Sequence, residues 1–194
     1  MKIYDSDVYH AMKHLAFRED KTIEMVEQIA VLDGICFYHE IMDFSRLSWR
    51  DRAAEREKWH QMALATLKGA DLIFADPDNS LSVTQRPTKK DAQKYILPSE
   101  IVDYFCRGQQ VMYYHHRSRK NAEEWLQEKR QIKAFLPDAK LLAVSFRRWS
   151  VRTYIFVVHA DQYAYYSSVT KKFLDSKWGT FLIDGKVAFT AENI

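Results

Sequence analysis

Asp71-Leu72-Ile73-Phe74-Ala75-Asp76-Pro77-Asp78-Asn79 is the stretch that decides how this chain is read. Four apolar residues in a row are too few for a helix and are bounded by turn formers, so they predict a short strand. With no polar residue alternating through it, the run fits a strand buried on both faces, the kind found inside parallel sheets. It stops on Asp76-Pro77-Asp78-Asn79, which sets carboxylates and an amide at the carboxyl edge of the sheet. In open α/β sheets that edge holds the ligand crevice, because the connections leaving it diverge.

Downstream, Ser80 to Gln93 has no clear period and reads as a loop beside that edge. Pro98 opens a helix carrying Ile101, Tyr104 and Phe105, and Gly108 stops it. Val111-Met112-Tyr113-Tyr114 is the next strand, ending in His115-His116-Arg117, and a helix is expected from about Asn121 to Leu136. Leu141 to Phe146 and Tyr154 to Val158 are β-rich runs whose connection, Arg147 to Arg152, is too short for a crossover helix and implies a hairpin. A helix capped by Asp161 and a small hairpin near Gly185 fill 161–194. Upstream, Ser48-Trp49-Arg50-Asp51 resembles a capping box opening a helix that Gly69 ends, Ile35 to Tyr38 suggests a strand, and 1–33 reads as a helical lead-in.

Strand, helix, strand, helix and then a hairpin predicts an α/β fold: a Rossmann-like three-layer sandwich, its sheet mostly parallel, with a C-terminal antiparallel hairpin and a helical N-terminal part. A length of 194 residues fits one such domain over 1–194. No apolar run is long enough to span a bilayer and no cationic leader precedes an apolar segment, so the expectation is a cytoplasmic chain with no membrane partner. Net charge of +3 permits a nucleic-acid partner, and a protein partner is equally compatible with it. Cys36 and Cys106 form no metal-type spacing.

Leu72 to Asn79, Lys94-Tyr95 leading to Glu100-Ile101, Val111 to Arg117 and Ser176-Lys177-Trp178-Gly179 together resemble a group of bacterial and phage proteins marked by Asp-Pro-Asp-Asn-Gly and a later Tyr-Gln-His. That group is similar, more distantly, to Rossmann-fold nucleic-acid methyltransferases, whose fourth motif is an Asp-Pro-Pro-Tyr type of sequence at the same strand end. The resemblance implies that Asp76 and Asn79 contact a base. This chain departs from the group at Ser80, where relatives carry the glycine, and at Ser82 and Thr84.

The candidate catalytic residues are therefore Asp76, Asp78 and Asn79 at one strand tip and His115 and His116 at the next, with one shared crevice expected if the two strands are parallel neighbours. Asp-Pro-Asp-Asn is also good turn chemistry in its own right. Arg117, Arg119 and Lys120, placed just before a helix, and Arg147, Arg148, Trp149 and Arg152, which join guanidinium groups to an aromatic ring, are the candidate nucleic-acid contacts. The functional expectation is a divergent methyltransferase-like protein that acts on or binds nucleic acid, of phage, mobile-element or defence origin. The 5 glycines include no Gly-x-Gly turn, which argues against S-adenosylmethionine. Two alternatives stay open. One is a metal-dependent nuclease or phosphoesterase in which Asp76 and Asp78 hold Mg²⁺ and a histidine moves protons; the other is a non-catalytic binding or inhibitor protein that kept the fold.

Overall fold

The structure, a computed structural model, describes residues 34–82, 89–116, 130–148, 150–176, 179, 182–183, 186–187 and 189–193, with the backbone alone at 116, 146–148, 150–151 and from 182 on. Helix α1 (Asp51–Thr66) buries Arg56, His60 and Ala63, residues spaced to fall on one side of a helix. The expected capping box does not form: Ser48 Oγ donates to Asp51 Oδ2 at 2.6 Å, no side chain caps the helix, and the Asp51 and Arg52 amides donate to the Ser48 carbonyl instead. The buried Arg56 guanidinium donates to both Glu100 oxygens, at 2.7 and 2.8 Å, and to the carbonyls of Ala92 and Tyr95. This four-point tie fastens α1 to the segment that enters helix α2 (Pro98–Cys106). Glu100 also accepts the Leu97 amide at 2.9 Å, half of a capping box, with Pro98 in the first turn and Gly108 at φ 85° just past the end.

Strands β1 (Leu72–Ala75), β2 (Gln110–His116), β3 (Lys140–Arg148) and β4 (Ser150–Val158) build the sheet, with β5 (Leu182–Ile183) and β6 (Lys186–Val187) forming a separate two-stranded ribbon. Helix α3 (Tyr163–Leu174) follows β4, and β7 (Phe189–Asn193) closes the main sheet, whose order is β1-β2-β4-β3-β7. Of its ladders only β1 with β2 is parallel; β2 with β4, β4 with β3, and β3 with β7 are antiparallel.

This overturns the expected mostly parallel, Rossmann-like sandwich. A parallel neighbour requires a crossover connection, and α2 supplies one between β1 and β2. The tight β3–β4 connection forces antiparallel pairing, and β4 then occupies the place beside β2 where a Rossmann sheet would continue in parallel. As a result β1 lies at the end of the sheet, away from any interior crevice. Nor is it buried on both faces: Ile73 is 4% exposed and its neighbour Phe74 53%.

Three smaller expectations also change. Ile35 to Tyr38 forms no strand; instead Tyr38 packs its ring against Trp59 and donates to the Trp59 carbonyl at 3.0 Å. The first residues of the supposed loop are ordered by pairing, since Ser80 O accepts from Ile96 and Ser82 N donates to Ile96 O. The predicted β3–β4 connection shrinks, because Arg147, Arg148 and Val151–Arg152 belong to the ladder. The helical lead-in of 1–33 and most of the helix expected from Asn121 lie outside the described residues, although 130–135 is helical. Among the described residues no helix is long and apolar enough to cross a membrane.

Candidate functional site: the outer face of the sheet

Side chains alternate between the two faces of a strand. Ile73, Val111, Tyr113, His115, Thr153, Ile155 and Val157 form the inner face, all buried, and with Ile101, Tyr104 and Phe105 of α2 make the core. The outer face carries Phe74, Met112, Tyr114, Tyr154 and Phe156. Its cover thins from one side to the other: Leu142 and Val144 on β3 are buried, Phe156 packs on Tyr166 of α3 at 6.1 Å, Tyr114 and Tyr154 are half-buried, and Phe74 stands out into solvent.

These outer aromatics form one stripe over three neighbouring strands. Tyr114 and Tyr154 are directly opposed in the β2–β4 ladder, ring centroids 5.9 Å apart, and Phe74 lies 6.3 Å from Tyr154. Asp76 bounds the stripe on one side and Arg152, exposed, on the other; both act on the Tyr154 phenol. Burial raises that phenol's pKa, Asp76 and Tyr114 push it the same way, and Arg152 opposes them. The Asp76 carboxyl is itself raised, first by desolvation against the sheet tip and second by the charge of Asp78, while the residue as a whole stays exposed.

The predicted residues divide between faces. Asp76 sits with Tyr154 on the outer side. His115 is fully buried on the inner side, where its Nδ1 is hydrogen-bonded to Ser80 Oγ. No described contact joins His115 to Asp76, and the sheet separates them. Asp78 and Asn79 are exposed, and the Asn79 amide donates to Lys94 O at 2.8 Å. Among the described residues no group of three His, Cys, Asp or Glu side chains comes together, so Asp76 and Asp78 would face a cation as a bare pair. His116 is opposite Arg152, and Arg147 and Arg148 are opposite Val151 and Ser150, which brings these positions to the same sheet end as Asp76 by register. Arg117, Arg119, Lys120 and Trp149 lie outside the described residues.

Ser80 occupies a backbone conformation that favours glycine. Its φ is 86°, a left-handed backbone that a side chain occupies at a cost of roughly 1–2 kcal/mol. The bond to the buried imidazole offsets part of that cost, and neither group is open to a substrate, since Ser80 is 1% exposed. Sequence reasoning missed Phe74, Tyr114 and Tyr154 as surface groups. The signal was the alternation Thr153-Tyr154-Ile155-Phe156-Val157, whose two sets are both apolar enough to pass for a core strand. A cleft of about 550 Å³ opens at the other end of the sheet, lined among others by Asp71, Gln110, His159, Asp161, Tyr165 and Tyr166.

No family model, curated protein or solved structure matches this chain.

Proposed function

We propose that the chain is a nucleic-acid-binding domain that holds a single strand on the outer face of its sheet, with bases stacked on Phe74, Tyr114 and Tyr154. The observation that carries the reading is the half-exposed Phe74 in line with two tyrosines on adjacent strands. Leaving such a surface to water forgoes about 25 cal/mol per Å² of apolar area, and base stacking on aromatic rings recovers it. Charge supports a polyanionic occupant: Arg147, Arg148 and Arg152 reach the same sheet end in the β3–β4 ladder, and Arg117, Arg119 and Lys120 follow His116 directly in the chain. Phosphates held there would leave the bases free to lie on the rings. The expected compartment is the cytoplasm.

Fluorescence anisotropy with labelled single-stranded decamers and duplexes of matched length tests the reading. Tyr154→Ala and Phe74→Ala should each weaken single-strand binding about 5- to 100-fold, the range for losing one stacked base. Arg152→Gln should reduce the salt dependence by about one phosphate contact. Duplex binding that exceeds single-strand binding, or is equally sensitive to the ring deletions, would rule out the stacked strand. A second copy of the chain as the occupant would show as a dimer that Phe74→Ala dissociates.

A further inference from the structure

We propose that the Asp76 carboxylate selects guanine at one position of the bound strand, accepting two adjacent N–H donors from the edge of a base stacked on the aromatic stripe. The inference rests on the single-strand reading above and adds to it which base is preferred. Ala75 is in register with Tyr113, so Asp76 comes next to Tyr114 and terminates the row that runs through Tyr114 and Tyr154. The rings are tilted to one another, Tyr114 by 55° and Phe74 by 43° from Tyr154, so a base stacks on one ring at a time; stacked on Tyr154, whose phenol feels the Asp76 charge, it can turn an edge toward Asp76.

What that edge must offer follows from the carboxylate. Ionised, it only accepts, through two oxygens set side by side. Among the described residues Asp76 accepts no hydrogen bond and pairs with no cation, so both oxygens are available to a ligand. The Asp78 charge that acts on it is negative, which favours donors at the same place. Guanine presents N1–H and the N2 amino group next to each other. Adenine and cytosine present one amino group beside an acceptor ring nitrogen, and uracil and thymine one imino N–H between two carbonyls. For each of these the second carboxylate oxygen would meet a lone pair. Hydrogen bonds to an ionised acceptor are about twice as strong as neutral ones, so the mismatch is felt.

The experiment uses uridine decamers with a central G, inosine, A or C, each measured by anisotropy against the full chain. Expected is a preference for G over A and C of about tenfold, within the range for one good bidentate base contact. Inosine, which keeps N1–H and lacks the amino group, should fall between. In Asp76→Asn, checked for a cooperative melt, the G-to-A affinity ratio should collapse to within about twofold, because the amide replaces one acceptor by a donor. Equal binding of all four decamers by the wild-type chain overturns the guanine inference and leaves the stacking reading standing. Undiminished preference in Asp76→Asn also overturns it. Should that variant fail to fold, equal binding of the G and inosine decamers by the wild type has the same force. Failure of every decamer to bind overturns both readings.

Discussion

The inner face of the sheet is sealed by α2 and the end of α1, while the outer face is covered by α3 on its β3 side and bare at β1, yet the two faces are built from similar side chains. Ile73 and Phe74 are neighbours in one strand, and one is 4% and the other 53% exposed. Tyr113 and Tyr114 repeat the contrast on β2, the first buried and the second half-open. The lesson is that an apolar run does not report how many of its faces are buried. Burial is settled by which helix the chain lays across each face, and among the described residues α3 covers the outer face only in part.

The contrast can be broken most directly by truncation. Ile155→Ala on the inner face should cost ~2–5 kcal/mol, the usual range for emptying a buried aliphatic site, whereas Phe74→Ala should cost less than ~1 kcal/mol in the absence of ligand. Denaturant melts of the two variants measure this. A loss at Phe74 matching that at Ile155 would mean that the outer stripe is covered core, and the binding surface would have to be sought elsewhere.

A medium-sized effect is expected at Ser80, where the inner face meets the strand tip. Ser80→Ala keeps the left-handed backbone and removes the bond to His115, and should destabilise by ~1–3 kcal/mol, the cost of stranding a buried polar group. Ser80→Gly loses the same bond and relieves the backbone, so it should be less damaging than alanine by about 1 kcal/mol. Equal melts for the two would show that the backbone there is not strained.

The smallest effect is a pH dependence belonging to the inner side. Burial, ahead of the Glu100 charge, pushes the Tyr104 phenol up to about 12 from an ordinary 10.0. The folded state therefore holds its proton longer than the unfolded chain does. Stability from this group is complete below pH 10 and is lost as pH rises toward 12, with a slope of at most ~1.4 kcal/mol per pH unit. Tyr104→Phe should flatten that alkaline limb in melts between pH 9 and about 11. An unchanged limb would place the loss with other phenols, Tyr154 and Tyr166 being also raised.

How much of this could be read from the chain differs by kind of information. The helix from Asp51 and the helix from Pro98 were marked by local signals: period, proline in the first turn, glycine past the end. Parallel pairing of the Leu72 and Val111 strands followed from the helix between them. The place of β1 at the end of the sheet did not, because it depends on β4 inserting beside β2, a pairing of residues 36 to 46 positions apart in the sequence that no local pattern encodes. The same distance hid the candidate site. Asp76 announced itself as the polar end of an apolar run, but Phe74, Tyr114 and Tyr154 come from three strands and become one stripe only once the register is known. His115 shows the opposite error: placed at a strand end beside a second histidine, it resembled a proton carrier, and parity sent it inward to steady Ser80.

The position of β1 has one more consequence, for behaviour at high concentration. Its far side has no strand partner among the described residues, so it offers backbone amides and carbonyls to any extended chain that approaches. The strand is only four residues long, and it runs directly into Asp76, Pro77 and Asp78. An incoming copy would find few groups to pair with, then a ring that bars extension and two negative charges that repel their own kind. The sequence that seemed to mark a buried strand thus ends by keeping an exposed one from recruiting its neighbours into fibrils.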